Sequence, residues 1–493
     1  MVPLRARSLA DLPAQVRRPG YDRGAVRAGI VHFSVGNFHR AHQAVYLDRC
    51  LELAGQAGWG ICGVGLIDNP AERAKAAAMA AQDGLYTLTL FPSGGAPSSG
   101  VVGSIVDYLF APDDPGAVLA RLRDPAIRIV SLTVTEGGYN LDERTGAFRL
   151  DAPAIVHDLA QPETPRTVFG FIVSALDQRR AAGLPAFTVL SCDNLRHNGA
   201  VLREAVLAFA RARDPALAAW IAANATFPSC MVDRITPAVT PADVARLNAL
   251  TGVDDRQPVF AEDYLQWVIE DHFAAGRPEL DRVGVQFTDD VAGYEQIKLR
   301  MLNATHSMLA YPGLLAGYRY VHEATTDPVI HAYLRRFLDQ DVIPLLAAPA
   351  GVSLEGYRDS VLSRFANPAV ADQLERIASD GASKIPVFLG DTLHACLERG
   401  RDSRRLAFLL AAYGRYLAGR DDRGATFTPL EPRLDAEDRA RATGPDPTAV
   451  LEIANFRGLG LVGGEEFAAA VARANALIAE RGALGALREL SGS

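Results

Sequence analysis

Cysteine is scarce in this chain of 493 residues. Its five cysteines are odd in number and widely scattered, so the sequence offers neither a disulfide framework nor a zinc–thiolate site. No run of about 18 apolar residues occurs, and the first residues lack the apolar core of a signal peptide. A formal net charge of −8 disfavours nucleic acid and anionic membranes as partners. We therefore predict a reduced, soluble, cytoplasmic protein.

Several reaction motifs are also missing. No Walker lysine pattern and no Gly-x-Ser-x-Gly elbow occurs, which disfavours phosphoryl transfer and serine hydrolysis. Among the histidines only His39 and His42 have a ligand-like spacing, and no carboxylate or cysteine accompanies them at a matching distance. The sequence therefore predicts no metal site.

The order of strand and helix patterns predicts two domains. Apolar, β-branched runs at 29–36, 59–66, 127–135 and 186–192 indicate buried parallel strands. Helical patterns follow one another after residue 290, so we place the domain boundary between 1–287 and 288–493. This predicts an α/β N-terminal domain and a mostly α-helical C-terminal domain. Within the first domain, residues 264–273 are predicted to be a helix and 227–237 a polar insertion with a surface or intradomain ion pair.

The turn after the first strand has the spacing of a dinucleotide-binding fingerprint. Ser34 stands at the usual first glycine, Gly36 is the second, and Ala41 can replace the third. A helix N-terminus after such a turn binds phosphate. The candidate cofactor residues here are Ser34, Gly36, Asn37, Phe38 and Arg40. The alternative is an ordinary strand–helix turn.

Acidic and polar residues follow the next strands. Asp68, after the second strand, is placed to bind the adenine ribose and to repel a 2′-phosphate, which favours NAD over NADP. Glu72 is an alternative, and a helix-capping role for Asp68 is compatible with either. Thr135 ends the run at 127–135, and Asn194 follows the last strand, at the edge where ligands of such sheets bind.

Residues 291–310 predict one long helix that is apolar nearly all round. At about 100° per residue, Glu295, Asn303 and His306 lie within roughly 140° of Lys298, on one flank. Burial lowers the pKa of a lysine, so Lys298 can act as a base. A neighbouring amide and imidazole can hold an oxygen that gains negative charge. These are the groups that remove a proton from an alcohol.

Tyr294 offers a rival reading. With Lys298 it forms Tyr-x-x-x-Lys, the spacing used by short-chain dehydrogenases, in which the tyrosine is the base. The glycine-rich turn of that family is absent, and its pair lies within a single-domain chain. We therefore prefer Lys298.

Seven stretches in the same order resemble the polyol-specific long-chain dehydrogenases/reductases, and most of all their mannitol 2-dehydrogenase branch. They are GNFHRAHQAVYLD (36–48), ICGVGL (61–66), IVSLTVTEGGY (129–139), FTVLSCDNLRHNG (187–199), MVDRITP (231–237), QWVIEDHF (266–273) and MLNATHS (301–307). The resemblance implies a Rossmann-type first domain, NAD as cofactor and metal-independent oxidation of a polyol, with D-mannitol and D-fructose as the preferred pair.

The resemblance also implies a role for each matching residue. Lys298 is the general base, Asn303 and Asn194 hold the reacting oxygen, His306 orients the substrate and Glu295 relays the proton. The substrate-binding positions it implies are Asp233, Arg376 and Lys384. Within the family, the alternatives are D-arabinitol 4-dehydrogenase, sorbitol-active enzymes and fructuronate or tagaturonate reductase. An NAD(H)-binding sensor without turnover is the alternative from another class, and we expect a monomer.

Two departures from the family pattern concern the site. Ser34 replaces the usual glycine of the phosphate turn, and Ala304-Thr305 stand where Gly-Ser or Gly-Gly is common. Neither changes Lys298, Asn303 or His306, so we expect the chemistry to be retained.

Overall fold

A computed structural model describes residues 1–142, 145–459 and 464–492. The chain divides into two units, Met1–Ala292 and Gly293–Ser493. The domain boundary expected between residues 287 and 288 stays a prediction.

The first unit contains fourteen strands among its described residues. They are β1 Val2–Pro3, β2 Val16–Arg17, β3 Ala28–Phe33, β4 Gly60–Gly65, β5 Tyr86–Phe91, β6 Ser98–Val102, β7 Ile105–Phe110, β8 Ile129–Leu132, β9 Thr188–Ser191, β10 Cys230–Asp233, β11 Val253–Asp254, β12 Val259–Glu262, β13 Gln266–Ile269 and β14 Gln286–Phe287. Its helices are α1 Asn37–Ala41, α2 Gln43–Leu51, α3 Pro70–Ala81, α4 Pro115–Arg123, α5 Pro153–Ala160, α6 Val168–Ala181, α7 Asn198–Arg213, α8 Pro215–Asn224 and α9 Pro241–Thr251.

A five-stranded parallel sheet with the order β7-β4-β3-β8-β9 organises this unit. The order reverses between β3 and β8, whose carboxyl ends therefore flank the crevice at which open α/β sheets bind ligands. Every residue of β3, β4, β8 and β9 is buried, in agreement with the apolar runs that predicted these strands. This strand order is that of a Rossmann fold, so the predicted fold class is confirmed for the first unit.

Three smaller sheets complete the first unit, and one of them corrects two predictions. Strands β10 and β13 pair antiparallel, with Asp233 opposite Gln266. The segment 264–273 thus contains a strand where a helix was predicted, because a short apolar run does not distinguish the two. The segment 227–237, predicted as a polar insertion, likewise contains a strand, since β10 lies within it and every residue of β10 is buried. The other two sheets have the orders β12-β5-β6-β2 and β1-β11.

Helices build the second unit. They are α10 Val291–Ile297, which begins at the division between the units, α11 Ala304–Leu315, α12 Val321–Thr326, α13 Pro328–Arg336, α14 Leu354–Phe365, α15 Leu374–Ala378, α16 Gly381–Glu398, α17 Arg404–Leu417, α18 Ala436–Ala442 and α19 Glu465–Gly492. Two π-helical segments, Lys298–Asn303 and Phe337–Val342, lie between them. The predicted helical character of this domain is confirmed.

A search of the described residues finds no helix with the length and apolarity that crossing a membrane requires. The same part of the chain contains no group of three or more His, Cys, Asp or Glu side chains arranged to hold a metal ion.

Candidate active site

The phosphate turn begins where β3 ends, at the crevice of the sheet. Ser34 has a φ of +67°, the left-handed region that favours glycine. Its N–H donates to the Val64 carbonyl oxygen at 2.8 Å, and its carbonyl oxygen accepts from the Thr133 hydroxyl at 2.8 Å. These bonds tie the turn to the end of β4 and to the segment after β8. The backbone of Ser34 therefore takes the shape that a glycine would give it.

Gly36 and Asn37 lie at the end of the turn, where helix α1 begins. A Cβ added at Gly36 would meet no heavy atom within 4 Å, so a ligand has room to approach the backbone there. Asn37 begins α1, and its side-chain oxygen accepts from the Arg40 guanidinium at 2.7 Å. This open backbone position fits the diphosphate of a dinucleotide.

Arg40 and Phe38, both predicted to bind the cofactor, contact other residues of the protein. Arg40 is only 2% exposed, and its guanidinium also donates to the Gln257 carbonyl oxygen. Its guanidinium therefore positions Asn37 and the turn. Phe38 is half-buried and stacks on His42, with ring centroids 5.0 Å apart.

A buried carboxylate joins the ends of β8 and β9. Asp193 accepts from the backbone N–H groups of Thr135 at 2.9 Å and Val134 at 3.1 Å, and from the Tyr139 hydroxyl at 2.9 Å. Thr135 has a φ of +65°, so these bonds hold it in a conformation that threonine rarely adopts. Burial raises the pKa of Asp193. The exposed Asn194 follows directly. The sequence placed Asp193 at this edge but gave no sign of its hold on Thr135.

Both acidic candidates for the adenine ribose lie in ion pairs. Asp68 contacts the Arg73 guanidinium at 2.6 Å, and Glu72 contacts the Lys75 ammonium at 2.6 Å. Asn69, rather than Asp68, caps α3 by accepting from the Glu72 N–H at 2.8 Å. The choice between Asp68 and Glu72 stays open.

Two stacked histidines beneath the turn were not predicted. The rings of His32 and His39 lie 3.5 Å apart, and His32 bonds to the hydroxyls of Ser131 at 2.8 Å and Thr133 at 3.0 Å. Burial lowers the pKa of His32 to about 3, so both partners of this stack can remain neutral. The one available signal was a histidine inside an otherwise apolar strand.

The second unit holds the predicted lysine helix, which is not a uniform α-helix. A π-helical segment covers Lys298 to Asn303, and the Ala304 N–H donates to the Leu299 carbonyl oxygen, five residues back. Each turn of this segment takes up more residues than an α-helical turn. Asn303 therefore lies nearer the direction of Lys298 than the about 140° expected from α-helical spacing. Lys298 and Asn303 are 9% and 8% exposed.

The neighbours of this segment fix its orientation. His306, on α11, stacks on Phe365 of α14 with ring centroids 4.1 Å apart. The buried Arg300 donates from Nε to the Thr392 hydroxyl of α16 at 2.9 Å. Arg300, a second cation two residues from Lys298, was not predicted as a site residue. Glu295 is half-buried on α10.

The predicted substrate-binding residues lie on different elements. Arg376 of α15 makes two bonds to the Asp372 carboxylate, at 2.7 and 2.5 Å. Lys384 of α16 donates to the Ile377 carbonyl oxygen at 3.3 Å. Asp233 ends β10 in the first unit and is 4% exposed, so of the two predicted positions, at the surface or within the domain, it has the second.

Comparison with known proteins identifies relatives along nearly the whole chain. The family model of the mannitol dehydrogenase Rossmann domain matches residues 28–282, and that of the mannitol dehydrogenase C-terminal domain matches 290–478. A polyol:NADP oxidoreductase of Gluconobacter oxydans is 52% identical, over 92% of this chain and 93% of its own. A mannitol 2-dehydrogenase of Pyricularia oryzae is 42% identical, over 98% and 97%.

Two solved structures are similar over their full length. A D-sorbitol dehydrogenase in substrate-free form is 49% identical, with a TM-score of 0.94 over 99% of this chain and 100% of its own. The mannitol 2-dehydrogenase of Pseudomonas fluorescens, solved with NAD and D-mannitol, is 44% identical, with a TM-score of 0.88 over 100% of both chains.

Proposed function

Because the chain belongs to the mannitol dehydrogenase family, we propose that it is an NAD-dependent polyol dehydrogenase that interconverts D-mannitol and D-fructose without a metal ion. The family resemblance drawn from the seven sequence stretches is confirmed by these matches. The observation that carries the proposed chemistry is the burial of Lys298 and Asn303 on one π-helical segment.

Lys298 is the proposed general base. Burial disfavours the charged form of a lysine, and the proposed reaction uses the neutral amine to take the proton of a substrate hydroxyl. In the reverse reaction the protonated Lys298 returns the proton to the oxygen of the ketose. A lysine that exchanges a proton in this way requires no Lewis acid.

Asn303 supplies the proposed hydrogen bond to the reacting oxygen. A neutral amide donor stabilises an alkoxide more strongly than an alcohol, so its effect is largest as negative charge develops. Asn194 is proposed as a second donor to that oxygen. His306, fixed by its stack on Phe365, orients the substrate, and Glu295 relays the proton. Asp233, Arg376 and Lys384 are the proposed contacts of the remaining hydroxyls.

The first unit is the proposed cofactor domain. Gly36 leaves room for the diphosphate, the turn at Ser34 and Asn37 shapes the approach, and Thr135 borders the same crevice. Phe38 lines the turn, Arg40 supports it, and Asp68 or Glu72 accepts from the adenine ribose. NAD, when bound, supplies the acceptor for the hydride that leaves the alcohol carbon.

D-sorbitol is the second candidate substrate, because a D-sorbitol dehydrogenase is 49% identical along the full length. It differs from D-mannitol only in the configuration at C2, the carbon that is oxidised when D-mannitol gives D-fructose, so discrimination between the two requires that the site sense the configuration of that carbon. Arg376 is less available for the carboxylate of fructuronate or tagaturonate, since Asp372 already occupies its guanidinium. D-arabinitol remains a further test substrate.

The test measures NADH oxidation with D-fructose, D-xylulose and D-fructuronate, and NAD reduction with D-mannitol, D-sorbitol and D-arabinitol. We expect D-fructose and D-mannitol to give the highest kcat/KM. Lys298→Ala should lower kcat by about 10²–10⁴, the usual contribution of a general base. Added primary amine should restore part of that loss.

Tyr294→Phe is the matched control on the same helix, and it should retain activity. Loss of activity in Tyr294→Phe together with retained activity in Lys298→Ala would show that the base is Tyr294 and not Lys298. Binding of NADH without reduction of any of these substrates would favour the sensor and contradict the proposed enzyme.

A further inference from the structure

The carboxylate that should select NAD is already bound to a cation. Arg73 lies between two aspartates, with Nε 2.6 Å from Asp68 and Nη1 2.7 Å from Asp113. Its guanidinium also lies over the Phe110 ring, 5.1 Å from the centroid. The pairing keeps the pKa of Asp68 below its ordinary value, so the pair is ionic at neutral pH.

This cluster stands at the carboxyl ends of two neighbouring parallel strands. Asp68 follows β4, while Phe110 ends β7 and Asp113 follows it. The same strand β4 runs beside β3, whose end forms the phosphate turn. Ile67, next to Asp68, exposes 59% of its surface, so its apolar side chain is open to contact with a base. The adenosine end of a dinucleotide is therefore expected beside Arg73.

The charges in the cluster act differently on the two nicotinamide cofactors. A lone carboxylate accepts from both ribose hydroxyls and repels a 2′-phosphate. A guanidinium beside it offsets that repulsion and can bind phosphate with two parallel N–H groups. Asp68, Arg73 and Asp113 expose 60%, 45% and 61% of their side chains, so solvent screens both ion pairs and Arg73 can exchange partners.

We propose that Arg73 is a specificity-determining residue that allows the protein to bind NADP as well as NAD, by pairing with the 2′-phosphate. With NAD, Arg73 stays between the two aspartates and Asp68 keeps one oxygen for the ribose. With NADP, the guanidinium turns from Asp68 to the phosphate, while Asp113 and the Phe110 ring keep it in place. This inference rests on the proposed function, since it assumes that the crevice binds a dinucleotide.

The test compares equilibrium binding of NADPH and NADH, followed by quenching of tryptophan fluorescence, for the wild type, Arg73→Gln and Arg73→Lys. Arg73→Gln should raise the Kd of NADPH at least about tenfold, the loss expected for one charged hydrogen bond to phosphate. The Kd of NADH should change less than about threefold, because only exposed ion pairs are lost. Arg73→Lys should recover part of the NADPH affinity, since it keeps the charge but not the fork.

Adenosine 2′,5′-bisphosphate provides a probe without nicotinamide. It should displace NADH from the wild type at a lower concentration than adenosine 5′-monophosphate does, and the advantage should disappear in Arg73→Gln. This readout does not depend on turnover.

Arg277→Gln is the matched control in the same unit. Arg277 also lies between two aspartates, 2.7 Å from Asp271 and 2.8 Å from Asp281, and over a phenylalanine, Phe287, at 3.6 Å. It stands between β13 and β14 in the chain and does not follow β4 or β7, so neither Kd should change.

Three results would overturn the inference. They are a wild type that binds NADH but not NADPH, an unchanged NADPH affinity in Arg73→Gln, and equal weakening of both cofactors. A wild type that binds neither cofactor would instead contradict the proposed function itself.

Discussion

The ligand-facing edge of the first unit and the lysine helix of the second hold their groups in different ways. At the edge, the proposed contribution of Ser34, Gly36 and Thr135 is mainly backbone shape, with two of them at positive φ. On the helix, the proposed contribution of Lys298 and Asn303 comes from side-chain atoms placed by a π-helical turn. A backbone edge tolerates exchange of its side chains, whereas a side-chain site does not.

The same difference explains why the helix was the easier site to recognise from the sequence. A lysine, an amide and an imidazole within a buried helix indicate proton-transfer chemistry by their residue types alone. At the edge, by contrast, Ser34 takes the place of a glycine, so the sequence pattern of the turn is incomplete. The backbone of Ser34 nevertheless adopts the conformation that glycine favours.

Truncation of Asn303 should give the largest effect among the tests that follow. Asn303→Ala removes the proposed donor to the developing alkoxide, and loss of one such donor typically lowers kcat by about 10²–10³. The Kd of NADH should stay unchanged, because the change leaves the first unit intact. Steady-state kinetics with D-fructose and a fluorescence titration with NADH measure the two quantities.

Asn475→Ala is the control for that prediction. Asn475, on α19 of the same unit, accepts from Arg415 at 3.1 Å, so its loss removes a structural amide rather than a proposed donor to the substrate. Equal kcat in both variants would mean that Asn303 has no part in stabilising the oxygen.

Asp193→Asn tests the backbone edge through the group that holds it. One carboxylate oxygen accepts from Thr135 N–H, and the other from Val134 N–H and the Tyr139 hydroxyl. Whichever way the new amide turns, its NH₂ group faces a backbone donor, a conflict that costs about 1–3 kcal/mol. We expect NADH binding to weaken by about tenfold if about 1.4 kcal/mol of this appears in binding.

Asp158→Asn separates this effect from simple loss of stability. Asp158 is also buried in the first unit, and its two oxygens accept from Arg166 N–H and from the N–H and hydroxyl of Thr167. It should lower Tm to a similar extent while the Kd of NADH stays unchanged. Equal weakening of NADH binding by both variants would show that Asp193 affects binding only through the stability of the first unit.

Sequence patterns predicted the parts of the fold that depend on burial. The strands β3, β4, β8 and β9 were found because strands covered on both faces need continuous apolar runs. The strand β13 was predicted as helix because its short apolar run fits either structure. Burial alone does not settle the local conformation.

The candidate site was predictable in its residue types but not in its geometry. A π-helical turn replaces one hydrogen-bond spacing by another without a change in composition, so the segment at Lys298 reads as α-helix. The hydrogen bond from the Thr135 N–H to Asp193 joins two residues that follow different strands, β8 and β9. Only the order of the strands in the sheet brings these residues together.

Acid should destabilise the first unit through His32. Its pKa is about 3 in the folded protein and 6.5 as the ordinary value, because burial opposes the charged form. The unfolded chain therefore takes up a proton that the folded protein does not. This contribution to stability is complete above pH 6.5 and is lost as the pH falls towards 3. At pH 5 the loss amounts to about 2 kcal/mol.

His32→Gln should therefore show a smaller fall in Tm between pH 7.5 and pH 5.0 than the wild type. His157→Gln, on the surface helix α5, should keep the full wild-type fall. An identical fall in Tm for the wild type and His32→Gln would show that His32 does not carry the acid sensitivity.

Ser34→Gly should have the smallest effect of these variants. It tests most directly whether Ser34 contributes through its backbone conformation. A non-glycine residue in the left-handed region costs roughly 1–2 kcal/mol, which glycine avoids. The greater freedom of glycine in the unfolded chain offsets about 0.5–1 kcal/mol of that gain. The free energy of unfolding should thus rise by less than about 1 kcal/mol, with the Kd of NADH unchanged. Ser98→Gly, in the extended strand β6, lacks the strain and should be destabilising. Loss of NADH binding in Ser34→Gly would mean that the serine side chain, and not the backbone shape it adopts, serves the cofactor.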